Sequence, residues 1–67
     1  KISMQKEGIV KFFNEQKGFG FIIQTHDRND IFVHSSGLID NITENDRVIY
    51  EVESGVKGLT AVKVEVM

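Results

Sequence analysis

Two short stretches of the chain bring together aromatic rings and residue types that could do chemistry. The first, "KGFGFI" at 17–22, alternates Phe19 and Phe21 with glycines, and the second, "DIFVHSS" at 30–36, contains Phe32 and His34. Rings beside a lysine suit noncovalent chemistry, in which nucleic-acid bases stack on the rings and the cation meets a phosphate. Whether these rings are displayed or buried decides between a binding surface and an ordinary core.

The chain contains residue types that are found in catalytic sites and nucleotide-binding loops, but their arrangement suits neither. Asp30, His34 and the two serines that follow are triad types, yet they lie in one predicted strand and its exit with no oxyanion donor, so we expect no enzyme. The "GFG" at 18–20 lacks the third glycine and the following helix of a nucleotide-binding loop. His26 among loop carboxylates is typical of a solvated histidine, and we expect neither a metal nor a cofactor.

Length and composition predict one small domain over residues 1–67, with residues 1–5 as a frayed start. The chain has no cysteine to staple a thin core and no long apolar run for a membrane span or signal peptide, so we expect a cytoplasmic protein. The net charge of −2 counts mildly against a nucleic-acid partner, because lysine and arginine normally carry phosphate binding. Base stacking does not depend on net charge, so the positions of the lysines matter more than their number.

Apolar residues recur mostly with period two, which indicates strands. The alternation predicts five strands at 8–13, 18–24, 30–34, 47–53 and 59–66, separated by turn residues, with one short helical turn at 36–38. Five short strands with turn signals between them predict an all-β fold, a small antiparallel barrel.

Alternation also predicts which residues face outward. In the third strand Ile31 and Val33 share the inner face, since Asp30 and His34 make the opposite face the wet one. If the second and third strands are neighbours, the outward residues form one surface patch with Lys17 at its edge. That patch would contain Phe19, Phe21, Phe32 and His34. The last two strands should point inward with Val48, Tyr50 and Val52, and with Val62, Val64 and Val66.

The first strand is ambiguous by the same rule. Val10 is predicted to face the core and Lys11 the solvent, but Phe12 and Phe13 are adjacent and simple alternation cannot place both.

The paired stretches "KGFGFI" and "DIFVHSS" resemble the ribonucleoprotein-type motifs of the bacterial cold-shock proteins. "GIVKFFNEQ" at 8–16 is similar to the first strand of that family and "ESGVKGLTAVKV" at 53–64 to its last loop and strand, so the resemblance covers about residues 6–66. It implies a five-stranded Greek-key barrel of the OB type that binds single-stranded RNA and DNA, as an RNA chaperone or a regulator of transcription or translation. Carried over position by position, it implies nucleic-acid-binding roles for Lys11, Phe12, Phe13, Lys17, Phe19, Phe21, Phe32, His34 and Lys57.

Departures from the family pattern imply weaker binding and a shorter footprint. Phe12 stands where the family has tryptophan, Ser35 where it commonly has phenylalanine, and Leu59 where proline is common. The loop at 36–46 is shorter than usual and has no aromatic residue. The alternative function is a protein-interaction barrel that uses the same exposed aromatic residues. We expect a monomer, and the homodimer is the alternative.

Overall fold

The computed structural model describes residues 5–25, 28–55 and 58–67, and five strands account for most of them. The strands are β1 (Lys6–Asn14), β2 (Phe19–Gln24), β3 (Asp30–His34), β4 (Arg47–Gly55) and β5 (Gly58–Val66), and a short 3-10 helix (Ser35–Gly37) follows β3. All five predicted strands are confirmed, and the predicted helical turn begins one residue earlier. Within the described ranges, no helix has the length and hydropathy that a bilayer span requires.

The strands close into a barrel in the order β1-β2-β3-β5-β4, with β4 paired back to β1. This confirms the all-β barrel. Four of its pairings are antiparallel, and the β3–β5 pairing is parallel, through Phe32 opposite Thr60 and Val33 opposite Ala61. Local sequence patterns do not specify this parallel seam, because β3 and β5 are separated by the whole of β4.

The core of the barrel is aliphatic apart from one tyrosine. The predicted inward residues Ile31, Val33, Val48 and Tyr50 are buried, and Val52 is half-buried and packs against them. All five phenylalanines lie within the described residues, and none belongs to the buried core. The barrel therefore closes without them; its buried residues are Val10, Ile22, Ile31, Val33, Ile42, Val48, Tyr50, Ala61 and Val64.

The prediction for the inner face of β5 is partly wrong. Val64 is buried as predicted, but Val62 is only half-buried and Val66 is 39% exposed, whereas Ala61 is fully buried. The physical reason is a bulge at Lys63, whose φ of 53° lies in the left-handed region and which adds a residue to β5 opposite β4. A one-residue insertion exchanges the two faces of a strand, so Ala61 takes the inner position predicted for Val62. Val66 lies on the same side of the bulge as Val64 and pairs with the buried Val48, and its exposure reflects its place as the last residue of β5.

A second bulge settles the ambiguity in β1. Val10 pairs with Ile22 but Phe12 pairs with Phe21, so Lys11 is the extra residue. Phe12 therefore lies on the outer face. Phe13 comes opposite Gly20 and packs against the core from the inner face.

Gly20 permits the close approach of β1 at this bulge. A Cβ atom on residue 20 would collide with the backbone oxygen of Phe12 and would lie 2.8 Å from the Cα atom of Phe13. Both obstacles are backbone atoms, which cannot rotate away as a side chain can. Glycine is therefore required here by space and not by its backbone angles.

We predict that Gly20→Ala lowers the free energy of unfolding by at least about 1–3 kcal/mol, because overpacking against backbone forces the strands apart. Gly55→Ala is the matched control, since a Cβ atom there would meet the Thr60 hydroxyl at 3.0 Å, which can move, and the backbone oxygen of Gly58 no closer than 3.3 Å. Thermal or denaturant unfolding of both variants measures the difference. Equal stability of the two variants would contradict the role assigned to Gly20.

Candidate functional site

Four phenylalanines meet on the outer face of β1, β2 and β3, and we call them the phenylalanine patch: Phe12, Phe19, Phe21 and Phe32. Strand pairing positions them, because Phe21 lies opposite both Phe12 on β1 and Phe32 on β3. Phe19 occupies the next outward position on β2. The predicted grouping of Phe19, Phe21 and Phe32 is thus observed, and the bulge adds Phe12 to it.

The rings of the patch form a closed circuit of contacts. The ring centroids of Phe12 and Phe21 are 5.6 Å apart, those of Phe21 and Phe32 5.9 Å, and those of Phe19 and Phe12 6.4 Å. Phe19 and Phe32 stack at 6.0 Å with an interplanar angle of 22°. Each such pair contributes about 0.5–1.5 kcal/mol beyond area burial, so the rings hold one another in place at the surface. Phe12 is the most open of them, with 39% of its surface exposed.

His34 extends the patch at the end of β3, where it lies opposite Phe19. Its Nδ1 atom accepts a hydrogen bond from the backbone N–H of Ser36 at 3.1 Å, and the Ser36 hydroxyl oxygen lies 3.0 Å from the same atom. The neutral ring therefore carries its hydrogen on Nε2. These contacts fix the orientation of an exposed imidazole next to the rings, as a stacking surface requires.

Lys11 precedes Phe12 of the patch on β1, and it forms an ion pair with Asp30. The Lys11 Nζ atom lies 3.0 Å from Asp30 Oδ2, and both side chains are about half exposed. An exposed ion pair of this kind is worth about 0–1 kcal/mol, so Lys11 can exchange the carboxylate for a phosphate at little cost. Alternation in β3 predicts only that Asp30 faces solvent, because its pairing with Lys11 joins β1 to β3 across β2 and is not a local feature of the sequence.

Lys17 and Lys57 are the two other lysines assigned to the site. Lys17 is exposed in the turn before β2, where its backbone N–H donates to the Asn14 side-chain oxygen at 3.0 Å. Gly18 adopts a φ of 76°, and its backbone N–H donates to the Asn14 carbonyl at 2.8 Å. This hydrogen bond fixes the turn beside Phe19. Lys57 lies outside the described residues, as does His26.

Phe13 lies apart from the patch. It packs against the core, and its accessible part lines a groove with Ser35, Leu38 and Ile42. Its assigned contact with nucleic acid remains a prediction.

Three glutamates lie on the two strands that carry no part of the patch. Glu51 and Glu53 are on β4 and Glu65 is on β5, and Lys63 Nζ lies 3.9 Å from Glu51 Oε1. The patch lies on β1–β3, which also carry Glu7 and Asp30, although Asp30 is paired with Lys11. Repulsion from β4 and β5 therefore favours the approach of a polyanion to the aromatic side but does not by itself decide it.

A closed five-stranded barrel that displays aromatic rings on the outer face of its second and third strands has the architecture of an OB-type oligonucleotide binder. The profile of the "'Cold-shock' DNA-binding domain" family matches residues 6–67. The chain therefore belongs to the cold-shock domain family, which confirms the resemblance and makes it a nucleic-acid-binding protein.

Individual relatives cover almost the whole chain. It is 43% identical to the cold shock-like protein CspG of Shewanella violacea, over 94% of this chain and 96% of that protein. It is 46% identical to the major cold shock protein of Micrococcus luteus, over 85% of this chain and 91% of that protein. Among solved structures, "drosophila Unr CSD456" superposes on 97% of this chain and 27% of its own, with a TM-score of 0.81 and 24% identity, which supports the fold.

We predict that Phe32→Ala weakens single-strand binding by about 1–3 kcal/mol while the barrel remains folded. Its cost in stability should stay below the about 3–5 kcal/mol of a buried Phe→Ala change, because Phe32 loses ring contacts and leaves no core cavity. Ile31→Ala, at the neighbouring buried position, should do the reverse, with a stability loss of about 2–5 kcal/mol and unchanged affinity per folded molecule. Titration and thermal unfolding of both variants measure the two effects. An unfolded Phe32→Ala variant would place Phe32 in the core after all.

Proposed function

We propose that the chain binds single-stranded RNA and DNA by stacking bases on the phenylalanine patch and His34. Stacking on aromatic side chains is worth about 1–3 kcal/mol per base and tolerates any base, because every base has a π-face. Binding of this kind selects unpaired strands, since the faces of paired bases are covered in a duplex. The residues that carry it in this proposal are Phe12, Phe19, Phe21, Phe32 and His34, with Lys11, Lys17 and Lys57 near phosphates and Phe13 at the margin.

One observation carries the proposal: four rings contact one another on the outer face of a barrel whose core closes without them. Apolar rings grouped at a surface cost solubility, and these rings lie outside the core that closes the barrel. Their presence on one face, beside a lysine that is released at little cost, supports a ligand that is flat, apolar on its faces and anionic at its edge. A nucleic-acid strand with unpaired bases has these properties.

In the cell, such binding acts as an RNA chaperone by mass action. A protein that binds the open form of a hairpin and not the paired form shifts the equilibrium towards the open form, without ATP and without a cofactor. In this proposal the chain is a cytoplasmic monomer and performs no catalysis. Regulation of transcription or translation follows where the opened segment is a control element.

The second candidate function is a protein-interaction barrel, and the net charge of −2 favours it. The same patch would then bind an apolar surface of a partner or of a second copy.

The test is a titration of fluorescently labelled oligo-dT, read by anisotropy, beside sizing of the protein at several concentrations. The label is required because the chain has no tryptophan and its only tyrosine, Tyr50, is buried. Saturable binding by a monomer supports the proposal. Concentration-dependent association without oligonucleotide binding would favour the protein-interaction function.

We predict a shallow salt dependence for a short oligonucleotide that covers only the patch. Three lysines are assigned to phosphates, and each phosphate neutralised on a single strand contributes about −0.7 to the slope of log affinity against log salt, so the slope should be about −2. Titrations at several salt concentrations measure it. A slope steeper than about −4 would require a basic surface that the three lysines do not supply.

We predict that Ser35→Phe tightens binding to oligo-dT by about 1 kcal/mol, at the low end of the stacking range. Ser35 is exposed and lines the groove with Phe13, so a ring there adds a stacking face next to an existing one. Ser54→Phe, at an exposed position on β4, is the control for added apolar surface and should leave affinity unchanged. If both folded variants bind like the parent protein, the strand does not pass Ser35.

A further inference from the structure

The outer face of the sheet continues beyond the phenylalanine patch with two isoleucines. Ile9 on β1 and Ile23 on β2 are direct cross-strand partners, and both are half-buried. They face outward, because their neighbours Val10 and Ile22 are fully buried on the inner side. We call this pair the isoleucine platform.

The platform lies in line with the patch. The outward residues of β2 are Phe19, Phe21 and Ile23 in order, so each step is about 7 Å at the usual strand rise. The ion pair between Lys11 and Asp30 reaches from β1 to β3 and therefore crosses β2 at the junction between the patch and the platform. Lys11 is consequently within reach of a strand that lies on either side of the junction.

Both arginines of the chain flank the platform. Arg28 lines a shallow hollow together with Ile9, Ile23, Gln24 and Thr25. Arg47 on β4 is the register partner of Ile9 on the side away from β2, and its side chain is exposed. The platform is therefore bordered by Arg47 on the β4 side and lined by Arg28. On the β3 side it is bordered by Asp30, the register partner of Ile23, whose carboxylate is paired with Lys11.

We propose that the isoleucine platform, with Arg28 and Arg47, is a further nucleotide subsite for the same single strand that binds the phenylalanine patch. The inference rests on the proposed function and extends its footprint along β1 and β2. A base lies with its face against the two aliphatic side chains, and a guanidinium binds the adjoining phosphate or stacks on the base edge.

Charge and continuity favour a nucleic-acid strand over a protein as the occupant. In a chain whose net charge is −2, two arginines adjoin this apolar surface, and the carboxylate that borders it, Asp30, is already paired with Lys11. Guanidinium groups suit phosphate, because their fork of donors matches its oxygens. Exposed Glu7 next to Ile9 on β1 then limits the path, since it repels a further phosphate.

The subsite predicts that affinity increases with oligonucleotide length. Substitution of both isoleucines should remove this increase. Wild-type protein should bind oligo-dT of about ten nucleotides more tightly than oligo-dT of about four, within the site sizes of OB folds. In Ile9→Ser/Ile23→Ser, affinity for the long strand should fall about fivefold, a factor that corresponds to the low end of stacking energies, while the short strand binds as before.

Ile49→Ser is the matched control. Ile49 is a half-buried isoleucine on the outer face of β4, but its register partners are Glu7 and Glu65 instead of arginines. The substitution should leave binding of both strand lengths unchanged. Thermal unfolding of all variants keeps a loss of folding apart from a loss of binding.

Charge variants test the subsite without touching apolar packing. Arg28→Gln/Arg47→Gln should reduce the steepness of the salt slope for the long strand by about 1.4, from about 0.7 for each phosphate contact, and leave the short-strand slope unchanged. Lys63→Gln, at a cation on β5, should change neither slope.

The outcomes separate the subsite from the proposed function. If short strands bind and neither the isoleucine nor the arginine variants alter the extra affinity of long strands, the subsite is overturned and the patch stands. If no strand of any length binds, the proposed function itself fails. Self-association of the wild type that the isoleucine variants abolish, with length dependence unchanged, would overturn the subsite in favour of a second copy as its occupant.

Discussion

The contact between the bulge of β1 and the bare backbone of Gly20 is the constraint on which the binding face depends. Because Lys11 is an extra residue, the two phenylalanines that follow it lie on opposite sides of the sheet. Phe12 completes the ring circuit outside and Phe13 packs against the core inside. The bulge can approach β2 only because residue 20 carries no side chain, since a Cβ atom would meet backbone. A regular strand would exchange the sides of these residues and break the patch.

An aliphatic core leaves the aromatic residues available for binding. Valine, isoleucine and alanine fill a barrel of this size together with Tyr50, so the interior does not depend on the phenylalanines. The rings stabilise one another through edge-to-face and stacked contacts, which reduces the entropy that a ligand would otherwise cost by ordering them. Small barrels have thin cores and modest stability, and the separation of core from patch lets the binding face change without loss of the fold.

Regular alternation was sufficient for β2 and β3, whose inward and outward residues the sequence predicts correctly. The family was recognised separately, from the resemblance of the two aromatic motifs that lie in these strands to those of the cold-shock proteins. It failed in β5, where the backbone of Lys63 adopts a left-handed conformation that no local signal demands of a lysine. The parallel pairing of β3 with β5 was equally hidden, since it joins segments about thirty residues apart whose partnership only barrel closure decides.

The sequence by itself determined the strands, the turns, the aliphatic core of the central strands and the aromatic character of the site, since these follow from composition and period-two spacing. Tertiary structure alone decided where the irregularities fall. The bulge at Lys11 arises because β1 must pair with β2 on one side and with β4 on the other while the sheet bends into a barrel. The same closure brings Lys11 to Asp30 across β2 and places the two arginines next to Ile9 and Ile23. These neighbours are distant in sequence, and their contacts exist only when all five strands are paired.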